Sequence, residues 1–96
     1  MKISDLEGKQ IIIFGFGREG QSTLEVLEKK LPGAKIIVTD ENDMADKTVR
    51  PDQNVRFVSV DQAIEMTNDN TVVIKSPGIS PHQPAVTAFK TRCSLI

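Results

Sequence analysis

An α/β fold, a parallel sheet of four to five strands with helices on both faces, is predicted by three features of this sequence. Short runs rich in Ile and Val alternate with amphipathic segments. The runs are continuously apolar, as strands covered on both sides require. Successive runs are separated by the length of a βαβ crossover, which in a parallel sheet is right-handed. With 96 residues, the chain has room for one such domain, spanning 1–96, and a modest core.

The first run, QIIIF at 10–14, predicts strand one, and it breaks into Gly15, Gly17 and Gly20. Over 18–31, Leu24, Leu27 and Leu31 fall at i, i+3 and i+7, Lys29 and Lys30 occupy the last turn, and Pro32-Gly33 stops the helix. KIIVT at 35–39 predicts a second buried strand, with Asp40 just past its end. The polar stretch 41–54 has no period and contains Pro51, so a loop with at most one helical turn is expected. Residues 55–58 predict a short third strand. Ser59-Val60-Asp61-Gln62 fits a capping box for a helix carrying Val60, Ala63, Ile64 and Thr67 and ending near 68–70. TVVIK at 71–75 predicts strand four, SPGISPHQP a Pro/Gly-rich loop, and Ala85, Ala88 and Phe89 the apolar face of a last helix. CSLI at 93–96 reads as the start of a fifth strand with no turn after it, from which we expect a longer, multidomain protein.

Composition narrows the function classes. Twelve basic and 13 acidic residues are interspersed without a basic block, so nucleic acid is not an expected partner. The longest apolar runs are far too short to span a bilayer, and the opening MKISD leads into no signal-peptide core; a cytoplasmic protein is expected. Cys93 stands alone, which excludes an internal disulfide and any multi-cysteine metal site, and it reads as a small buried hydrophobe.

A strand leading into G-x-G-x-x-G and then a helix is a Rossmann-like phosphate-binding pattern. Each glycine removes a side chain where the backbone turns tightly, packs closely or must approach a pyrophosphate. An acidic residue, Asp40, follows Gly20 by 20 positions, as the full pattern demands. The plain alternative is a tight turn that only packs helix against strand. Amides at the start of the helix would meet an anion with help from the helix dipole, and Arg18 could add a charged hydrogen bond. Glu19 would oppose an anion and is expected to point outward. Asp40 could accept from a ribose or a base, or could simply solvate a strand end. Ser76-Pro77-Gly78 could be an ordinary turn, yet it follows a buried strand directly. Gly15, Asp40 and Ser76 each follow a strand, so all three are expected at one crevice beyond the carboxyl ends of the sheet. His82 has no partner at catalytic or metal spacing and reads as a solvated loop residue, and Lys75 and Arg92 read as surface charges.

GFGREG and SPGIS, with an aspartate after the second strand, together resemble the N-terminal domain of the Mur ligases. The likeness is strongest to the branch joining UDP-N-acetylmuramoyl-L-alanine to D-glutamate in peptidoglycan synthesis, and it runs from GKQIIIFGFGREGQST through VVIKSPGISPHQPAV. It implies a domain that grips the UDP part of that substrate and is inactive alone. Gly17, Arg18, Glu19 and Gly20 would lie in the diphosphate loop, Asp40, Glu41 and Asn42 near the uridine, and Ser76, Pro77 and Gly78 on the pocket wall. Glu19 departs from the small or hydroxyl residue common there, and Asn42 from a basic residue that can follow the aspartate. The resemblance further implies central and C-terminal domains that use ATP and magnesium to form the amide bond. No G-x-x-x-x-G-K-[ST] occurs in this chain, so no cofactor is expected in it. The main rival is an NAD-binding domain of a dehydrogenase or ligand-sensing protein, with Asp40 on a ribose. A protein-interaction module with a vestigial glycine loop finds no hydrophobic stripe or charge block to support it.

Overall fold

The computed structural model describes residues 6–41 and 54–95. It contains β1 (Gln10–Phe14), α1 (Arg18–Lys30), β2 (Ile36–Thr39), β3 (Val55–Phe57), α2 (Val60–Glu65), β4 (Thr71–Lys75), α3 (Pro84–Arg92) and β5 (Ser94–Leu95). The five strands form one sheet in the order β3-β2-β1-β4-β5, and every neighbouring pair is parallel. The α/β expectation and the element order therefore hold. Most of the stretch expected as a loop, 42–53, lies outside the described residues.

Successive residues of a strand point to opposite faces, and both faces of this sheet are covered. On one face Ile11, Ile13, Ile36, Val38 and Val72 pack with Leu24, Leu27 and Leu31 of the α1 segment. On the other, Ile12, Phe14, Ile37 and Val73 pack with Ala63 of α2 and with Val86 and Phe89 of α3. This explains why β1 reads as an unbroken apolar run: Ile11 to Phe14 are all buried, alternately into the two clusters.

Helix α3 packs through part of the expected face of Ala85, Ala88 and Phe89, with Val86 added to it. Its buried residues are Val86 and Phe89, three apart on one side, while Ala85 is only partly buried. Phe89 lies against Phe14 with ring centroids 5.3 Å apart at 60°, and burying a side chain of this size contributes about 1.5–3 kcal/mol. Helix α2 starts as its sequence predicts, with the Ser59 hydroxyl accepting from the Gln62 amide at 3.2 Å. Cys93 is half-buried at the end of α3, and its thiol donates to the Phe89 carbonyl at 3.3 Å. Burial pushes that thiol's pKa up, with the Arg92 charge pulling the other way.

At the amino ends of the strands, the Gln10 side-chain amide donates to the Met66 carbonyl (2.8 Å) and the Thr71 hydroxyl (3.0 Å). That ties the exit of α2 to the entrances of β1 and β4. The carboxyl ends, where the strand order reverses on the two sides of β1, are left to the loops.

Candidate functional site

Three loops meet beyond the carboxyl end of β1. The Gly15 amide donates to the Thr39 carbonyl at 2.8 Å, and the Ser76 amide donates to the Phe14 carbonyl at 2.9 Å, so the ends of β2 and β4 bracket the glycine turn. The Phe16 amide donates to Asp40 Oδ2 at 2.5 Å. Sequence positions 24 and more than 50 residues apart are thereby brought to one place, as the crevice argument expects.

The three glycines divide the work unequally. Gly15 has φ +101°, a conformation that strains any other residue, and a Cβ built on it would sit 2.7 Å from Ser76 Cβ and 2.8 Å from Ile79 Cδ1. It lets the 76–79 turn lie directly against the glycine loop. Gly20 is buried in the first turn of α1, and a Cβ there would fall 2.1 Å from the Gly15 carbonyl oxygen. It lets the helix start close above the turn. Gly17 differs from both. It is exposed, has φ −78°, and a Cβ on it would meet nothing within 4 Å. Its missing side chain serves no packing among the described residues.

Gly17 is also the N-cap of α1, and no side chain among the described residues caps that helix. The first-turn amides of a helix have no intrahelical acceptor and carry the positive end of the dipole. Arg18 and Glu19 on this turn are both exposed. Phe16, between the first two glycines, holds the loop down: its ring is buried among the α1-side core and meets Phe57 edge-on at 5.5 Å.

Asp40 is half-buried, and its carboxylate braces the loop through Phe16. Glu41 is exposed beside it, and Asn42 lies outside the described residues. Ser76 is partly buried while Pro77 and Gly78 are exposed, and Gly78, like Gly17, has open space where a Cβ would be. His82 is exposed in the following loop, and Arg92 is exposed on α3.

Lys75 departs from its reading as a surface charge. It is half-buried, and its ammonium donates to the carbonyls of Ser76 (3.2 Å) and Ile79 (2.8 Å). Sequence reasoning missed it because a lysine ending a strand before Ser-Pro looks solvated; the returning Ile79 carbonyl is a product of the turn. Phe16 was also missed, although an apolar residue between two loop glycines hints at an anchor.

A cavity of 590 Å³ lies at the opposite end of the sheet, lined by Lys9, Lys30 and Lys35 among others. Lys30 and its neighbour Lys29 sit in the last turn of α1, where cations complement the helix dipole and an anion would be repelled by it. The uncapped N-terminus and the convergent loops place the candidate site at the carboxyl end.

The family profile described as the N-terminal domain of MurD-like Mur ligases matches residues 9–95. The chain belongs to this family. Among its relatives is a UDP-N-acetylmuramoyl-L-alanine–L-glutamate ligase of Xanthomonas axonopodis pv. citri, 32% identical over 83 residues that make up 86% of this chain and 18% of the relative. A UDP-N-acetylmuramoylalanine–D-glutamate ligase of Limosilactobacillus reuteri is 31% identical over 94 residues, 92% of this chain and 20% of the relative. One of Leuconostoc mesenteroides with the same name is 30% identical over 90 residues, again 20% of the relative. The MurD-like domain thus spans about a fifth of the length of these relatives. No solved structure gives a significant match. The match covers both the glycine loop and the 76–79 turn, and it favours the ligase resemblance over the dehydrogenase or sensor alternative.

Proposed function

We propose that this domain binds the uridine diphosphate end of UDP-N-acetylmuramoyl-L-alanine for a longer, cytoplasmic ligase of peptidoglycan synthesis. The observation that carries the proposal is Gly17. It is the one glycine of the motif whose missing Cβ faces open space, and it stands at the uncapped start of α1 between the ends of β2 and β4. A diphosphate would meet the amides at 17–20, with Arg18 adding charge and Glu19 turned away. Asp40, Glu41 and Asn42 would lie on the uridine side, and Ser76, Pro77 and Gly78 on the opposite wall. Gly15 and Gly20 would act through the shape of the loop.

In such a parent, as the family resemblance implies, ATP and magnesium would be held by other domains. The sequence has no G-x-x-x-x-G-K-[ST], and among the described residues no three His, Cys, Asp or Glu side chains are grouped to hold a metal ion. Among the described residues, no helix is long and apolar enough to cross a membrane. The relatives' names share the muramoyl-alanine nucleotide and differ in the hand of the glutamate. The similar identity to both supports a role for this domain at the shared part, with D- or L-glutamate selected elsewhere in the parent.

Amide chemical-shift titration of the chain tests the proposal. UDP and UDP-N-acetylmuramoyl-L-alanine should perturb residues 15–20, 40–41 and 76–80 at lower concentration than NAD does. A preference for NAD, or no response at these residues, refutes it.

A further inference from the structure

We propose that Lys75 is a positioning residue for the nucleotide site, holding the 76–79 turn against the glycine loop; what the loops hold rests on the UDP reading above. The argument begins with the turn itself. The Ile79 amide closes it on the Ser76 carbonyl at 3.1 Å, and apart from the Ser76 amide bond to Phe14 this is the one backbone hydrogen bond among the described residues for four residues that include a proline and an open glycine. Lys75 adds two more. Its ammonium donates to the Ser76 carbonyl and, at 2.8 Å, to the Ile79 carbonyl, so a single charged group grips both ends of the turn.

Holding Ile79 has a consequence across the site. Ile79 Cδ1 and Ser76 Cβ are the two atoms packed closest to the space a Gly15 side chain would need. Gly15 in turn supplies the carbonyl over which Gly20, in the first turn of α1, is packed. A line of close approaches therefore runs from the Lys75 ammonium, bonded to Ile79, past the space beside Gly15 to the start of α1, whose amides would meet the diphosphate. The second strand end is braced by Asp40 on Phe16, and Lys75 is the corresponding brace from the fourth. Cation and carboxylate are both spent on backbone groups of loops, which is the arrangement expected of supports that preorganise a site.

Lys75→Met tests this, because methionine keeps an unbranched apolar stem and removes the donors. Without ligand, amide shifts at 76–79 and at Gly15–Gly17 should move, while those of α2 and of the amino ends of the strands stay in place. UDP affinity should fall about tenfold, with the thermal midpoint lowered by only a few degrees. Lys75→Cys, aminoethylated in a Cys93→Ala background, restores a side chain of nearly the same length and charge and should recover both shifts and affinity. Parent-like shifts at Gly15–Gly17 in Lys75→Met, or failure of the aminoethylated protein to recover them, overturns the inference. If the parent chain itself does not respond to UDP, the UDP reading falls, and the ligand-free shifts still decide whether Lys75 couples the two loops.

Discussion

Gly20→Ala sets two effects against each other at one position. Alanine is the better helix former, and in a helix interior the exchange would stabilise by about 0.8–1 kcal/mol. Here the new Cβ would lie 2.1 Å from the Gly15 carbonyl oxygen, where about 3.2 Å or more is needed for contact. The obstacle is backbone, and Gly15 cannot retreat easily. Its amide is bonded to Thr39, and its other side is packed on Ser76 and Ile79. Overpacking in such surroundings costs about 1–3 kcal/mol, and the upper end applies because no flexible side chain can give way. The net expectation is a destabilisation of about 2 kcal/mol, which for a domain of this size lowers the thermal midpoint by about 8–16 °C. Urea unfolding followed by far-ultraviolet circular dichroism measures it directly, and the slope with denaturant should be unchanged. A variant as stable as the parent, or more so, would show that α1 does not start close over the glycine turn, and the packing role of Gly20 would be refuted.

Two further expectations follow from the same site. Gly17→Val should leave most of the stability in place, since nothing lies within 4 Å of the new Cβ, yet reduce UDP affinity at least tenfold; a folded variant with parental affinity would show that the phosphate does not approach Gly17. The Thr39 hydroxyl is fully buried and has no hydrogen-bond partner among the described residues, so Thr39→Val should raise stability by about 1 kcal/mol in the same urea assay, whereas a loss of that size would mean that the hydroxyl is engaged.

The elements legible in the sequence are those whose signal is local. The runs at β1, β2 and β4 are apolar because both faces of each strand are covered, and α1 declares itself through Leu24, Leu27 and the basic last turn. Helix α3 was legible as a helix and, through Phe89 and Ala85, largely in its orientation, but Val86 was missed. Val86 sits one residue from Ala85 and shares the buried side with Phe89, whose ring meets Phe14 from the other end of the chain. In the site, the glycine pattern was visible while its division of labour was not. That Gly15 serves packing depends on Ser76 and Ile79 returning from some 60 residues away, and that Gly20 does depends on the turn laying the Gly15 carbonyl over the start of α1. Asp40 likewise carried the right spacing, but its bond to the Phe16 amide is set by the β1–β2 register.

The register of β1 against β4, Gln10 opposite Thr71 and Phe14 opposite Lys75, has a kinetic consequence. The G-x-G-x-x-G segment is contiguous and could form its turn and helix early, but one wall of its site arrives only when the chain closes a loop of about 60 residues. Contacts of that span are slow to form relative to local helix formation, because the entropy of closure is lost before the pairing is gained. The proposed nucleotide site should therefore appear with the last cooperative step of folding. A segment covering only the first βαβ unit would carry the entire glycine motif and still lack half of the pocket. A ligand that requires both loops would bind the closed sheet alone, and by mass action its binding would be felt as added stability of the whole domain.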